Sequence, residues 1–163
     1  MKPKYTARSS LGFTLIELMV VVVIATILIS IAVPSYMSQV RQSRRVEAKT
    51  AMLDLAGREE RYLSTNPAAY TNVPANLGYN AFGVPIGNGY YTLNVCSPAA
   101  SPCNGVNIPN APAAPSYTIV ALPVAGQSQA NDTQCQSFAV DSSGQQYAAD
   151  NTGANQTQFC FAN

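Results

Sequence analysis

The chain has 163 residues, no histidine or tryptophan, and nine basic against eight acidic residues, for a formal net charge of +1. Only 10% of the residues are charged while 47% are hydrophobic. With no histidine, no phosphate-cradling glycine motif and no clustered carboxylates, there is no constellation for acid-base or nucleophilic catalysis, so the chain reads as a non-enzyme without cofactor or metal.

The first ten residues form a polar leader with Lys2, Lys4 and Arg8, followed by an apolar run from Phe13 to Val33 whose one charge is Glu17. Twenty-one residues of helix reach roughly 30 Å, enough to cross a bilayer's hydrocarbon core. A cleaved secretory signal would have a shorter apolar core, a small-x-small cleavage site and a turn after it. This run is long, lacks such a site and flows into helix-forming sequence. A carboxylate inside a spanning helix is costly, on the order of 2.5 to 3.5 kcal/mol at mid-helix and less near an end, so Glu17 calls for a cationic partner. Cleavage after Gly12 would create one, an α-amino group on Phe13, four residues before Glu17.

Gly12-Phe13-Thr14-Leu15-Ile16-Glu17 followed by a long aliphatic run resembles the class III signal of type IV pilins and related pseudopilins. The resemblance implies that prepilin peptidase cuts after Gly12 and methylates Phe13. It also implies that Glu17 pairs with a neighbouring subunit's N-terminus during fibre assembly. Many members carry glycine where Thr26 stands, but Pro34 is present, and a kink or local break is expected there.

From Ser35 to about Ser64 the helical character continues, with Ala48, Met52, Leu55 and Tyr62 spaced to form one face against a head domain. Arg44, Arg45, Lys49, Arg58 and Arg61, interleaved with Glu47, Asp54, Glu59 and Glu60, are placed on the opposite face. They read there as a solvated surface with intrahelical pairs, or as groups for pairing between subunits. Gly57 is a weak point, costing about 1 kcal/mol relative to alanine. Asn66-Pro67 ends the helix, and Ala68 to Gly89 reads as a connecting loop pinned by Tyr70, Tyr79 and Phe82.

Strands are expected at Tyr90 to Val95, Tyr117 to Leu122, Phe138 to Val140 and Gln145 to Ala148, the last two joined by the turn Asp141-Ser142-Ser143-Gly144. Ser97 to Pro115 carries five prolines and reads as an exposed loop. The four cysteines, Cys96, Cys103, Cys135 and Cys160, lack the spacing of zinc sites and suit disulfides in an oxidising periplasm. Of three pairings, Cys96 with Cys103 and Cys135 with Cys160 is favoured. Phe159 and Phe161 anchor the C-terminus.

From Tyr62 onward there is no basic residue. A head that neutralises phosphates needs a Lys/Arg patch, so no direct nucleic-acid binding is expected of it. Asp132, Asp141 and Asp150 read as turn formers rather than metal ligands.

The expected fold is α+β, a long N-terminal helix packed on an antiparallel sheet of about four strands, with a disulfide-bounded C-terminal region. The domains are a leader over 1–12, a helix over 13–64 with 13–33 as the membrane-spanning or fibre-core segment, and a head over 65–163 with its disulfide region at 135–160. This is the pilin plan. Within that family, Tyr117 to Pro123, Gln127 to Cys135, Phe138 to Asp141 and Gly144 are similar to PilE-like minor pilins of type IVa pili, with Phe161 where tryptophan usually follows the terminal cysteine.

The resemblance implies a structural subunit, a minor pilin, stored in the bacterial inner membrane with its head in the periplasm and then assembled into a surface fibre. Twitching motility, adhesion and DNA uptake are the implied roles. The implied partners are other pilin subunits, prepilin peptidase, the inner-membrane assembly platform and, before assembly, membrane lipid. The alternatives are a type II secretion pseudopilin and an unprocessed single-span membrane protein.

Overall fold

The structure is a computed structural model and describes residues 12–162; the expected leader, apart from Gly12, lies outside the described residues. Helix α1 spans Leu15–Thr65. It ends where Asn66 closes the last turn, its N–H donating to the Tyr62 carbonyl at 2.9 Å, and Pro67 cannot continue the ladder. Two compact units are distinguished, one up to Gln39 and one from Val40. The unit holding the sheet therefore begins inside α1, earlier than the expected head boundary at residue 65. The reason is burial: Arg45, Ala48, Met52, Leu55 and Glu59 recur at spacings of three and four along α1 and all face inward.

The sheet has five antiparallel strands in sequential order: β1 Pro85–Ile86, β2 Tyr91–Cys96, β3 Thr118–Pro123, β4 Ser137–Asp141 and β5 Gln146–Ala149. The four expected strands are present to within a residue or two. The fifth, β1, is two residues of the connecting loop that pair with Thr92 and Tyr91, too short for a periodicity to reveal. A short helix α2, Thr157–Ala162, closes the chain. The β4–β5 turn is built on Asp141, whose Oδ1 accepts from the Ser143 and Gln145 amides at 2.9 and 3.0 Å. Gly144 there has φ 78°, a conformation glycine adopts without strain.

Alternation along the strands splits the side chains between two cores. Tyr91, Leu93, Ile119, Ala121, Phe138, Val140 and Ala148 face Ala48, Met52 and Leu55 of α1. Each fully buried large aliphatic or aromatic side chain there contributes about 1.5 to 3 kcal/mol. On the other side, Val120 and Ala139 pack with Cys103 and Ile108. This corrects the reading of Ser97 to Pro115 as a purely exposed loop. Its prolines are exposed except half-buried Pro112, but Cys103 and Ile108 are buried, so the segment roofs the sheet's second face. The disulfides join Cys96 to Cys103 and Cys135 to Cys160. The first ties this roof to β2. The second holds α2 beneath β4, where Phe161 meets Phe138 edge-on at 5.7 Å.

The charged face of α1 also departs from expectation. Arg45 is buried, and its Nε and Nη2 donate to Asp132 Oδ2 and Oδ1 at 2.7 and 2.8 Å, with Gln129 Nε2 donating to Oδ2 at 3.0 Å. Glu47 accepts from the Asn88 amide at 2.6 Å. It approaches Gly87, φ 47°, so closely that a Cβ there would overlap its carboxylate. Arg58 pairs with Asp54 at 2.8 Å, the intrahelical pair among these residues, and donates to the Leu77 carbonyl at 2.9 Å. Most of the expected solvated charges are tethers from helix to head.

Two outcomes follow for denaturation of the full chain in detergent micelles. Replacing Asp132 by alanine strands a buried guanidinium and lowers stability by about 3 to 5 kcal/mol, whereas Arg45→Met combined with Asp132→Leu costs markedly less. Gly57 has open space where a Cβ would stand, so Gly57→Ala raises stability by about 1 kcal/mol.

Candidate functional site

The N-terminal motif starts on an exposed, uncluttered stretch. Gly12 has nothing within 4 Å of where a Cβ would be, and Phe13 is 87% exposed. Thr14 then caps α1: its carbonyl accepts from the Leu18 N–H and its hydroxyl oxygen from the Glu17 N–H, both at 3.3 Å. Thr14 to Glu17 has the Thr-x-x-Glu spacing of a capping box, a signal available in the sequence that the reading of the motif passed over. The exposed Glu17 lies in the first turn, where the helix dipole favours negative charge.

Beyond Glu17 the helix is apolar all round. None of the residues from Leu15 to Val33 is buried, and the large side chains there are all exposed. Its two hydroxyls are satisfied within the helix, Thr26 donating to the Val22 carbonyl and Ser30 to the Ile27 carbonyl, both at 2.7 Å. That pattern lets polar side chains sit in a lipid or protein interior. Pro34 stands inside α1, and helix continues on both sides of it. Chemically, the stretch offers a backbone open to a peptidase, an apolar surface with no partner among the described residues, and one carboxylate that such a surface cannot bury unpaired.

In the head, Arg44, Arg45, Lys49 and Arg58 are engaged by head groups, whereas the side chains of Arg41 and Arg61 make no hydrogen bond or ion pair among the described residues. Arg44 stacks over Tyr90 at 3.8 Å, donates to its hydroxyl at 3.1 Å and also reaches the Ser128 hydroxyl. Arg45 is held by Asp132, and the Lys49 ammonium lies 5.3 Å from the Phe161 ring. A groove of about 420 Å³ lies between the proline-rich roof and β5, lined by Asn107, Ile108, Tyr147 and Asn155 among others. Among the described residues no three potential metal ligands cluster. Asp141 and Asp150 hold turns. The Thr152 hydroxyl and amide and the Ala154 amide hold the Asp150 carboxyl down to about 2. Asp132, expected to form a turn, is instead the partner of Arg45.

Comparison with known proteins gives two family matches. The prokaryotic N-terminal methylation motif matches residues 7–33. The family described as type IV minor pilin ComP, DNA uptake sequence receptor, matches residues 34–139, more than half the chain. That description stands against the expectation that the head does not touch nucleic acid. No curated protein matches. Among solved structures, the chain is similar to a type IV pilin from Shewanella oneidensis at 20% identity and a TM-score of 0.40, covering 65% of this chain and 89% of that one. On the match over residues 34–139, the chain belongs to the ComP family of type IV minor pilins.

Proposed function

We propose that this minor pilin is processed after Gly12, methylated at Phe13 and drawn from lipid into a fibre in which Glu17 pairs with the N-terminus of a neighbouring subunit. The observation that carries the proposal is the methylation motif running directly into an exposed apolar helix with a lone carboxylate in its capped first turn. Moving such a helix from lipid to neighbouring helices loses little hydrophobic free energy, and the carboxylate gains a cation in a medium where an unpaired charge is expensive. Prepilin peptidase and the inner-membrane assembly platform are the implied partners, and twitching motility and adhesion the implied uses. Pro34 is the place for the helix to bend during that transfer. The subunit's work is structural rather than catalytic.

The family's description favours a second reading, reception of DNA uptake sequences. Charge argues that this head would bind DNA weakly. The described head has no basic residue after Arg61, and Arg44, Arg45 and Arg58 are already committed to protein partners, which leaves Arg41 and Arg61 for phosphates. Base contacts would fall to amides such as Asn107 and Asn155 beside the outer groove. Amides can read base edges but do not neutralise phosphates.

Mass spectrometry of mature chains from membranes and sheared fibres is expected to find an N-methylated Phe13 terminus. Glu17→Ala is expected to be processed normally yet to be depleted from fibres. An unprocessed chain, or full incorporation of Glu17→Ala, overturns the corresponding step. In fluorescence anisotropy with duplexes of the cell's own genome and of foreign DNA, the fibre-only reading expects no binding at moderate salt. Binding selective for the cell's own DNA would establish the second reading.

A further inference from the structure

Glu59 is an acid that α1 buries completely. None of its surface is exposed; Oε2 accepts from the Thr71 N–H at 3.1 Å, and Oε1 has no hydrogen-bond partner. The groups that face it offer no positive charge. Glu60 is its neighbour on α1, Tyr70 comes from the loop after α1, and Tyr117 stands just before β3, all close enough to interact electrostatically with one another. The adjacent cation, Arg58, is drawn to Asp54 and to the Leu77 carbonyl.

Thr71 is the knot of the segment it anchors. Its hydroxyl oxygen accepts from the Val73 amide and from Asn76 Nδ2, both at 3.1 Å. On either side the segment has separate ties, the Tyr70 hydroxyl to Glu60 at 3.0 Å and Arg58 to the Leu77 carbonyl at 2.9 Å. Loss of the central bond therefore frees a short piece of chain between two fixed points.

We propose that Glu59 is a proton-operated latch, which when neutral closes the segment 71–77 onto the end of α1 and when ionised releases it. A neutral carboxyl in this site leaves one weakly polar oxygen unpaired, whereas the anion leaves a buried charge with a single donor, the costlier state. Burial accordingly pushes Glu59 up from 4.5 to about 7, Glu60 adding to the rise and the Thr71 amide opposing it. The closed segment binds the proton more tightly than the open one. Its stability is full at low pH and is lost as pH rises from the ordinary carboxylate range through about 7. The latch would thus open across the range around neutrality, and it stands independently of the assembly and DNA readings.

The test is amide hydrogen exchange, corrected for intrinsic rates, on the full chain in detergent micelles from pH 5 to pH 8. Protection at Thr71, Val73 and Asn76 is expected to fall by roughly fifty- to a hundredfold, with β3 and β4 amides unchanged. Glu59→Gln is expected to flatten that profile, and Glu60→Gln to keep it. A flat profile in the unaltered chain, the same fall in Glu59→Gln, or a parallel fall in β3 and β4 overturns the proposal. Should Glu59→Gln not fold, the carboxyl carbon shift of Glu59 in the unaltered chain decides: a midpoint near 7 supports the latch and one in the ordinary carboxylate range overturns it.

Discussion

The head depends on one stripe of α1. Ala48, Met52 and Leu55 fill the space over Tyr91, Leu93, Ile119 and Phe138, and the stripe is bounded at each end by a buried ionisable side chain, Arg45 and Glu59. The apolar residues supply burial and the two polar side chains supply direction. Arg45 can be buried only where Asp132 arrives with both oxygens, and Glu59 accepts only where Thr71 presents its amide. A helix slid by one turn would keep apolar contacts yet strand the Arg45 guanidinium, at several kcal/mol, and leave the Glu59 carboxyl without its donor. The two polar side chains thus fix the register of helix on sheet in a way that methyl groups cannot.

The same helix solves a different problem before Gln39. There, an ordinary amphipathic stripe is absent because no side chain from Leu15 to Val33 is given to the chain's own interior. As a minor type IV pilin, the protein is held first in the inner membrane and later in a surface pilus, and a helix that is apolar all round suits both. The Thr14 cap and the backbone bonds of Thr26 and Ser30 leave polar groups satisfied without an external partner. Glu17 is the exception, and in the assembly proposed above it is the residue that gives the transfer its specificity.

Much of this was legible in the sequence where the signal is local. The methylation motif, the Asn66-Pro67 stop, the β-rich runs and the Asp141 to Gly144 turn each lie within a few residues, and the strands follow from them. What was misread lies across long separations. Arg45 and Glu59 sit among charges on a helix, and nothing nearby distinguishes them from solvated neighbours; their partners are 87 and 12 residues away. The prolines of Ser97 to Pro115 correctly forbid a sheet interior. They conceal that Cys103 and Ile108 can still cover one, because burial by an irregular segment has no periodicity to detect. The capping role of Thr14 was legible from its spacing to Glu17.

The roof over the second face of the sheet has a consequence for how this protein can change. Its fully buried contribution comes down to Cys103 and Ile108, held by one disulfide to β2 and flanked by half-buried Val106 and Ala111, while most of the other residues in the segment are exposed. Substitutions among those solvent-facing positions leave the α1-facing register untouched, since Val120 and Ala139 look one way and Ile119, Phe138 and Val140 the other. Surface chemistry on that side is therefore uncoupled from the packing of helix on sheet. What the head displays on that side can be changed by substitution while the packing of helix on sheet stays fixed.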